Sequence, residues 1–304
     1  MTDRSTGASS SGIKQRQDDL ANLVLQHAKK RRYDVADRWA NVTVGGTVAF
    51  ALLVPFAALV WPATAAWLSA VAAGWLVMGK GWCQRRQEAD NAQAARYQEM
   101  FETRLFALPW NEALCGRRPG EDEIARDAQR VRNEAGQTGW FYDDGTTPRP
   151  ADVLLAQLEN VLWGKSNHAG FASLFRGVGV AVFLVGIVIA SVLRLEMTDY
   201  LIRLLFPCLP ALQDSFLLAG AHRNQAEAKK RLEEQIIELL DRYARHATVE
   251  DLDLRSVQDG AYQLRVSGPN VPSWFYKLQK SKDSKAIHAA MDSWRDKLAA
   301  STSP

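Results

Sequence analysis

Charge falls in blocks along this chain, and the gaps between the blocks set its architecture. Residues 39–79 and 177–193 contain no Asp, Glu, Lys or Arg. The first gap is about twice the ~20 helical residues that cross a bilayer core of ~30 Å. Trp61-Pro62 sits near its middle. A proline that opens a helix, beside an interface-seeking tryptophan, reads as the tip of a hairpin. The pattern therefore predicts spans over Val42–Val60, kinked at Pro55, and Ala63–Trp82. A third span is predicted over Gly177–Leu193, about 25 Å at 1.5 Å per residue, with arginines snorkelling at both ends. A fourth covers Tyr200–Ala221. It carries Arg203 and Asp214, and Pro207 and Pro210 are expected to interrupt it.

Basic flanks orient the spans. Lys29, Lys30, Arg31, Arg32 and Arg38 precede the first, while Lys80, Arg85 and Arg86 follow the second. Both flanks are expected on the cytoplasmic side, with the Trp61-Pro62 tip outside. The fold class predicted is all-α: a polytopic membrane protein with four transmembrane helices in two hairpins and helical cytoplasmic extensions. Residues 1–12 read as a disordered tail rather than a signal peptide, and 13–41 as a cytoplasmic amphipathic helix whose spacing allows it to run straight into the first span. Hairpins at 42–82 and 176–221 bracket a cytoplasmic helical insert at 83–175, and 222–304 form a C-terminal helical region. Within the insert, helices are predicted to run on from Gln84 to Arg104, from Gly120 to about Gly136, and over Ala151–Trp163. Further helices are expected at Gln225–Tyr243 and Ala286–Ala299.

Composition narrows the function. Lys and Arg number 37 against 34 Asp and Glu, too even a balance to attract a nucleic-acid polymer. Three scattered cysteines, Cys83, Cys115 and Cys208, suggest neither a disulfide framework nor zinc. The five histidines lack metal-ligand spacing, and no GxSxG, GxxxxGK[ST] or GxGxxG occurs. No catalytic residue, metal or cofactor is expected, and the chain is not read as an enzyme.

Other features bear on membrane function. Ala66, Ala70 and Gly74 in span two, and Gly177, Ala181, Gly186 and Ala190 in span three, have the spacing that lets helices approach closely. They suit packing within one chain or assembly of subunits around a pore. Arg203 and Asp214, eleven residues apart, would share a face of an unbroken helix. Each costs about 2.5–3.5 kcal/mol at mid-membrane, so neither should face lipid at depth. They are candidates for lining a water-filled path. Lys29–Arg32 is accounted for as a topology signal, with anionic lipid as the other reading.

The order of motifs resembles a known family. Lys30-Arg31-Arg32-Tyr33 leads into the first hairpin, and the helix after it ends Met100-Phe101-Glu102-Thr103-Arg104-Leu105-Phe106-Ala107-Leu108-Pro109-Trp110-Asn111. Glu123-Ile124, Trp140-Phe141-Tyr142, Pro150-Ala151 and Gln157-Leu158-Glu159-Asn160 precede the second hairpin. Leu254-Arg255-Ser256-Val257-Gln258-Asp259 and Val271-Pro272-Ser273-Trp274-Phe275-Tyr276 follow it. Over about residues 13–295 this is similar to the SMODS-associated four-transmembrane pore-forming effectors of bacterial CBASS anti-phage systems. Two positions depart from that pattern: Leu158 stands where an arginine is usual, and Ser273 where an acid commonly follows Val-Pro.

The resemblance implies a dormant multi-pass protein of the bacterial inner membrane with both termini cytoplasmic, and a homo-oligomer in contact with membrane lipid. A cyclic oligonucleotide from a cGAS/DncV-like nucleotidyltransferase would trigger it to breach the membrane and cause abortive infection. Arg104, Arg117, Arg118 and Arg255 are candidate nucleotide-binding residues, for their chemistry and their place near the motif blocks. The alternative is a non-conducting membrane scaffold that recruits a cytoplasmic partner.

Overall fold

A computed structural model describes residues 12–130 and 138–302; the side chains of Ala58, Leu59, Pro62, Ala65 and Ala66 lie outside the described set. Every regular element among the described residues is helical. After a single turn, α1 (Ile13–Arg16), α2 runs from Leu20 to Val60 without a break. At 1.5 Å per residue it is about 60 Å long, twice a bilayer core. The amphipathic helix and the first span are thus one rod, with Pro55 inside it. Trp61 ends α2, and Pro62 opens α3 (Pro62–Gly74). A π-helical turn, Trp75–Gly79, joins α3 to α4 (Lys80–Leu105).

Two short helices, α5 (Glu112–Cys115) and α6 (Glu121–Ala128), follow. The three acids Glu121, Asp122 and Glu123 sit in the first turn of α6, facing its positive dipole end. The second long hairpin is α7 (Ala151–Val192), then α8 (Met197–Tyr200), a π-helical turn Leu201–Leu205, and α9 (Phe206–Ala244). A capping box between Glu250 and Asp253 starts α10 (Asp251–Ser267), and α11 (Ser273–Thr302) closes the chain. The helices α4, α7 and α9 stop in the same way. Ala107, Arg194 and His246 take φ of 51°, 49° and 58°, and the next N–H reaches back to the carbonyls of Thr103, Ala190 and Arg242. This left-handed cap satisfies carbonyls that a helix end would orphan.

The rods have two different halves. In the polar half Leu25, Tyr97, Phe101, Leu105, Leu154, Leu158, Ile236, Leu240 and Leu254 form a buried hydrophobic core among α2, α4, α7, α9 and α10. In the other half the large apolar side chains point outward, among them Leu52, Phe56, Trp67, Val71, Val188, Ile202 and Leu217. An outward apolar surface of this extent is what lipid, not water, would cover. Among the described residues three helices are long and apolar enough to cross a membrane: Leu20–Ala57, Ala151–Val192 and Met197–Ala244. The segment predicted as span two is helical too, but the π-helical turn divides it.

Several expectations need correction. The prolines do not interrupt the fourth segment, which stays helical from Met197 to Ala244 through the π-helical turn Leu201–Leu205. The π-helical turn ends two residues before Pro207. Such a turn loosens the i→i−4 ladder where proline lacks a donor and would crowd the preceding carbonyl. It also shifts the helix phase, so an eleven-residue spacing no longer places Arg203 and Asp214 on one face. The helix predicted to end near Gly136 ends at Ala128, and Gly136 lies outside the described residues. Residues 1–11 of the predicted tail are likewise outside them.

Candidate functional site

Where the four rods meet in the polar half, they enclose a charged network in an otherwise apolar core. Glu99 and Glu102, three residues apart on α4, are both fully buried. Arg255, Gln258 and Arg265 reach them from α10. Arg255 donates to Glu99 Oε1 at 2.6 Å, and Arg265 to Glu102 Oε2 at 2.5 Å. The Gln258 amide bridges both carboxylates, at 2.8 Å to Glu99 and 2.6 Å to Glu102. Gln98 and Asn160 donate to the other oxygen of Glu102 at 2.8 and 2.7 Å. Gln157 of α7 donates to Gln258 Oε1 at 3.2 Å, and Arg255 also holds the Pro109 carbonyl at 3.0 Å. Buried charge is tolerated only when paired and hydrogen-bonded, and here each carboxylate oxygen has a donor. Burial still pushes the Glu99 carboxyl above its ordinary range, against the pull of Arg265.

Residues far apart in sequence build this network: Gln98, Glu99 and Glu102 of α4, Gln157 and Asn160 of α7, Arg255, Gln258 and Arg265 of α10, and Tyr33 of α2. The Tyr33 hydroxyl donates to Gln98 Oε1 at 3.3 Å. Leu158, where an arginine was expected, is a buried core side chain. Ser273 opens α11 and gives both its N–H and its hydroxyl to Asp37, at 2.9 and 2.5 Å. An acid there would meet Asp37 with like charge.

Toward the apolar half the polar contacts thin out. His168 and His222 face each other with Nδ1 atoms 2.8 Å apart, so one neutral ring donates to the other. Burial, with the Lys229 charge adding to it, holds His168 down to about 2, and burial holds His222 down to about 4. Below them, Lys80 Nζ and Asp214 Oδ1 meet at 2.5 Å across the two hairpins. Arg203 pairs within its own helix, with Asp199 at 3.1 Å. The structure therefore does not bring Arg203 and Asp214 together.

The small residues divide in the same way. Gly74 and Gly177 face open space, Ala70 and Ala181 are exposed, Ala190 is half-buried, and a Cβ on Gly186 would lie 4.0 Å from the Tyr200 ring. Ala66 is outside the described residues. Close approach is made by glycines the spacing did not single out. A Cβ on Gly46 or Gly79 would fall 2.2 or 2.4 Å from the Trp75 ring, and one on Gly179 would fall 3.1 Å from Phe216.

Of the four candidate arginines, only Arg255 is buried, and its donors are already committed. Arg104 is exposed, with a 3.5 Å contact to the Ala21 carbonyl. Arg118 lies over Trp110 at 5.7 Å, and the Arg117 carbonyl accepts from Arg96. Lys30 pairs with Asp34, and Arg32 with Asp90 and Asp127. Sequence reasoning missed Glu99, Glu102 and Arg265. Glu102 was visible inside a quoted block, but nothing there separated a buried acid from a solvated one.

Glu159 gives the network's surroundings a pH dependence. Burial pushes its carboxyl up to about 7, although the Tyr142 N–H donates to it at 2.9 Å. A folded value above the unfolded one means that folding takes up a proton. Glu159 therefore favours the fold most below about 4.5, and that support is lost as pH rises through 7. Glu159→Gln should melt higher than the parent at pH 8 and alike at pH 4.5, read from paired thermal melts.

Residues 11–294 match the family described as the SMODS-associating 4TM effector domain. A protein of Bacillus cereus (strain VD146), described as a probable CBASS effector molecule, is 23% identical over 226 residues, covering 74% of this chain and 76% of that one. No solved structure matches.

Proposed function

Because the chain belongs to the SMODS-associating 4TM effector family, we propose that it is the membrane effector of a bacterial CBASS anti-phage system. In this reading the apolar arms of α2, α3 with the start of α4, α7 and α9 cross the inner membrane as four spans, both termini cytoplasmic. A cyclic nucleotide made during infection acts on the polar half, the protein opens or assembles into a pore, and the cell dies before the phage matures.

The observation that supports this reading best is continuity. The rods α2, α7 and α9 run without a break from the buried charge network into the apolar arms. Helices are stiff over this length, so a repacking around Glu99 and Glu102 would be carried into the arms as tilt or rotation. The comparisons supply the anti-phage context through the family and the Bacillus cereus relative.

The test is in cells. Bacteria expressing this chain with an inducible cGAS/DncV-like nucleotidyltransferase should lose membrane potential and admit propidium only when both are present. Cells in which the chain gathers a cytoplasmic partner on the membrane and the potential holds would favour the scaffold instead.

A further inference from the structure

The charge network leaves a remainder on its α2 side. Asn22, Gln26 and Lys29 lie four and three residues apart, on one buried face of α2. Gln26 is fully buried and neither its amide oxygen nor its nitrogen has a hydrogen-bond partner. The Lys29 ammonium is buried and also has none, resting instead on the Trp140 ring 3.4 Å from its centroid. The Asn22 amide oxygen is a third orphan on the same face. Lys229 of α9 is buried as well, packed so tightly against Gly164 that a Cβ there would lie 2.7 Å from its Nζ.

Lys29 and Lys229 both feel the Glu102 carboxylate and the Arg265 guanidinium. Yet Glu102 is already saturated by Gln98, Asn160, Gln258 and Arg265. Lys29, Lys229 and Arg255 are buried and Arg265 keeps 10% of its side chain exposed, against the fully buried Glu99 and Glu102, with Asp259 at the rim beside Arg255. The other buried carboxylates, Asp127 and Glu159, are held by Arg32 and by the Tyr142 N–H. Desolvation lowers Lys29 to about 7 and Lys229 to about 8, as expected of buried ammonium groups short of a counter-charge. An interior that is purely structural would fill these positions with apolar side chains, since orphaned buried polar groups oppose folding.

We propose that the Gln26–Lys29 face of α2, with Lys229 and Trp140, is the receiving site for a phosphodiester anion bearing a nucleobase. The chemistry of each group fits a part of such a ligand. Lys29 and Lys229 supply the missing counter-charges for phosphate. The Gln26 amide offers a donor and an acceptor to a base edge, and Trp140 offers a stacking face. Lys29 must leave the indole to reach a phosphate, which frees that face for the base. The inference rests on the cyclic-nucleotide trigger proposed above and assigns that trigger a place. It also gives the trigger a direct lever, because Lys29 stands on the rod that becomes the first membrane arm.

The test uses the full-length protein in nanodiscs, with labelled cyclic di- and trinucleotides and inorganic phosphate as probes. Equilibrium binding is measured for the parent, Gln26→Leu, Lys29→Met, Lys229→Met and the exposed-lysine control Lys230→Met, each with a thermal melt. At least one cyclic nucleotide should bind the parent and Lys230→Met alike. Binding should weaken tenfold or more in Gln26→Leu, Lys29→Met and Lys229→Met, while Gln26→Leu and Lys29→Met melt no lower than the parent. Binding unchanged in all three folded variants would overturn this site and leave the cyclic-nucleotide trigger standing. A parent that binds none of the nucleotides would sink direct sensing, and this site with it. Inorganic phosphate competing at the same concentration as the nucleotide would mark a general anion site and overturn the assignment to a nucleotide.

Discussion

Glu102→Ala is expected to cost the fold about 3–5 kcal/mol, the range for removing one partner of a buried ion pair. The carboxylate accepts from four side chains, Gln98, Asn160, Gln258 and Arg265. Its loss leaves the Arg265 guanidinium, with 10% of its side chain exposed, facing only Glu99 at 3.8 Å. For a chain of this size that corresponds to a fall in melting temperature on the order of 10 °C. The cause is the charge left behind rather than the lost carbon atoms. Glu102→Leu combined with Arg265→Met should therefore recover part of the loss, since it removes the unpaired guanidinium, while the Gln98, Asn160 and Gln258 amides still lose an acceptor. Melts of the purified protein in detergent decide it. A double variant as unstable as the sum of its singles would show that the pair is not coupled as drawn.

The second large effect is expected at the membrane level. Lys80–Asp214, at 2.5 Å, is the ion pair that ties the apolar arms of the two hairpins together among the described residues. Lys80 opens α4 directly after its π-helical turn, and Asp214 lies seven residues beyond Pro207 on α9. Each partner is only 21% and 31% exposed, so the bond is worth more than a surface pair. A hydrogen bond to a charged group contributes about 1.5–3 kcal/mol, or roughly a ten- to hundredfold bias between arrangements that keep it and those that do not. If the resting state is the one with the bond, Asp214→Asn and Lys80→Met should each raise leak in the absence of any trigger by about that factor. Exchanging the residues, Lys80→Asp with Asp214→Lys, should restore tightness. Single variants as tight as the parent, at equal insertion, would remove this pair from the gate.

Much of the architecture was legible because bilayer thickness and charge exclusion act on sequence directly. The gaps at residues 39–79 and 177–193 marked the apolar arms, and Trp61-Pro62 marked a real break between α2 and α3. Continuity was only partly visible. A helix that leaves the membrane and enters a protein core changes composition without changing conformation, so α7 and α9 each looked like two elements, whereas the helical spacing ahead of the first span already pointed to the single rod α2. Proline at 207 and 210 read as a stop because the pattern carries no sign that a π-helical turn will absorb it.

The site was legible only by its blocks. Glu102, Gln157, Asn160, Arg255 and Gln258 all lie in motifs that carried the family resemblance, and the fold brings those blocks into one network. Gln26, Lys29 and Lys229 escaped because a lysine in a charged helix reads as solvated unless tertiary burial is known. Lys29 even sat in a run, Lys29–Arg32, that topology alone accounted for. Small-residue spacing missed Gly46 and Gly179 for a related reason: the partner that needs the space is a tryptophan or phenylalanine on another segment, while at Gly79 it is Trp75 of the same turn.

The most direct measurement is release of dye and potassium from sealed liposomes containing the purified full-length protein, with and without a panel of cyclic di- and trinucleotides. The account predicts tight vesicles that release their contents with at least one cyclic nucleotide and not with its linear form. Vesicles that stay sealed with every nucleotide, from protein shown to be folded and inserted, would contradict it.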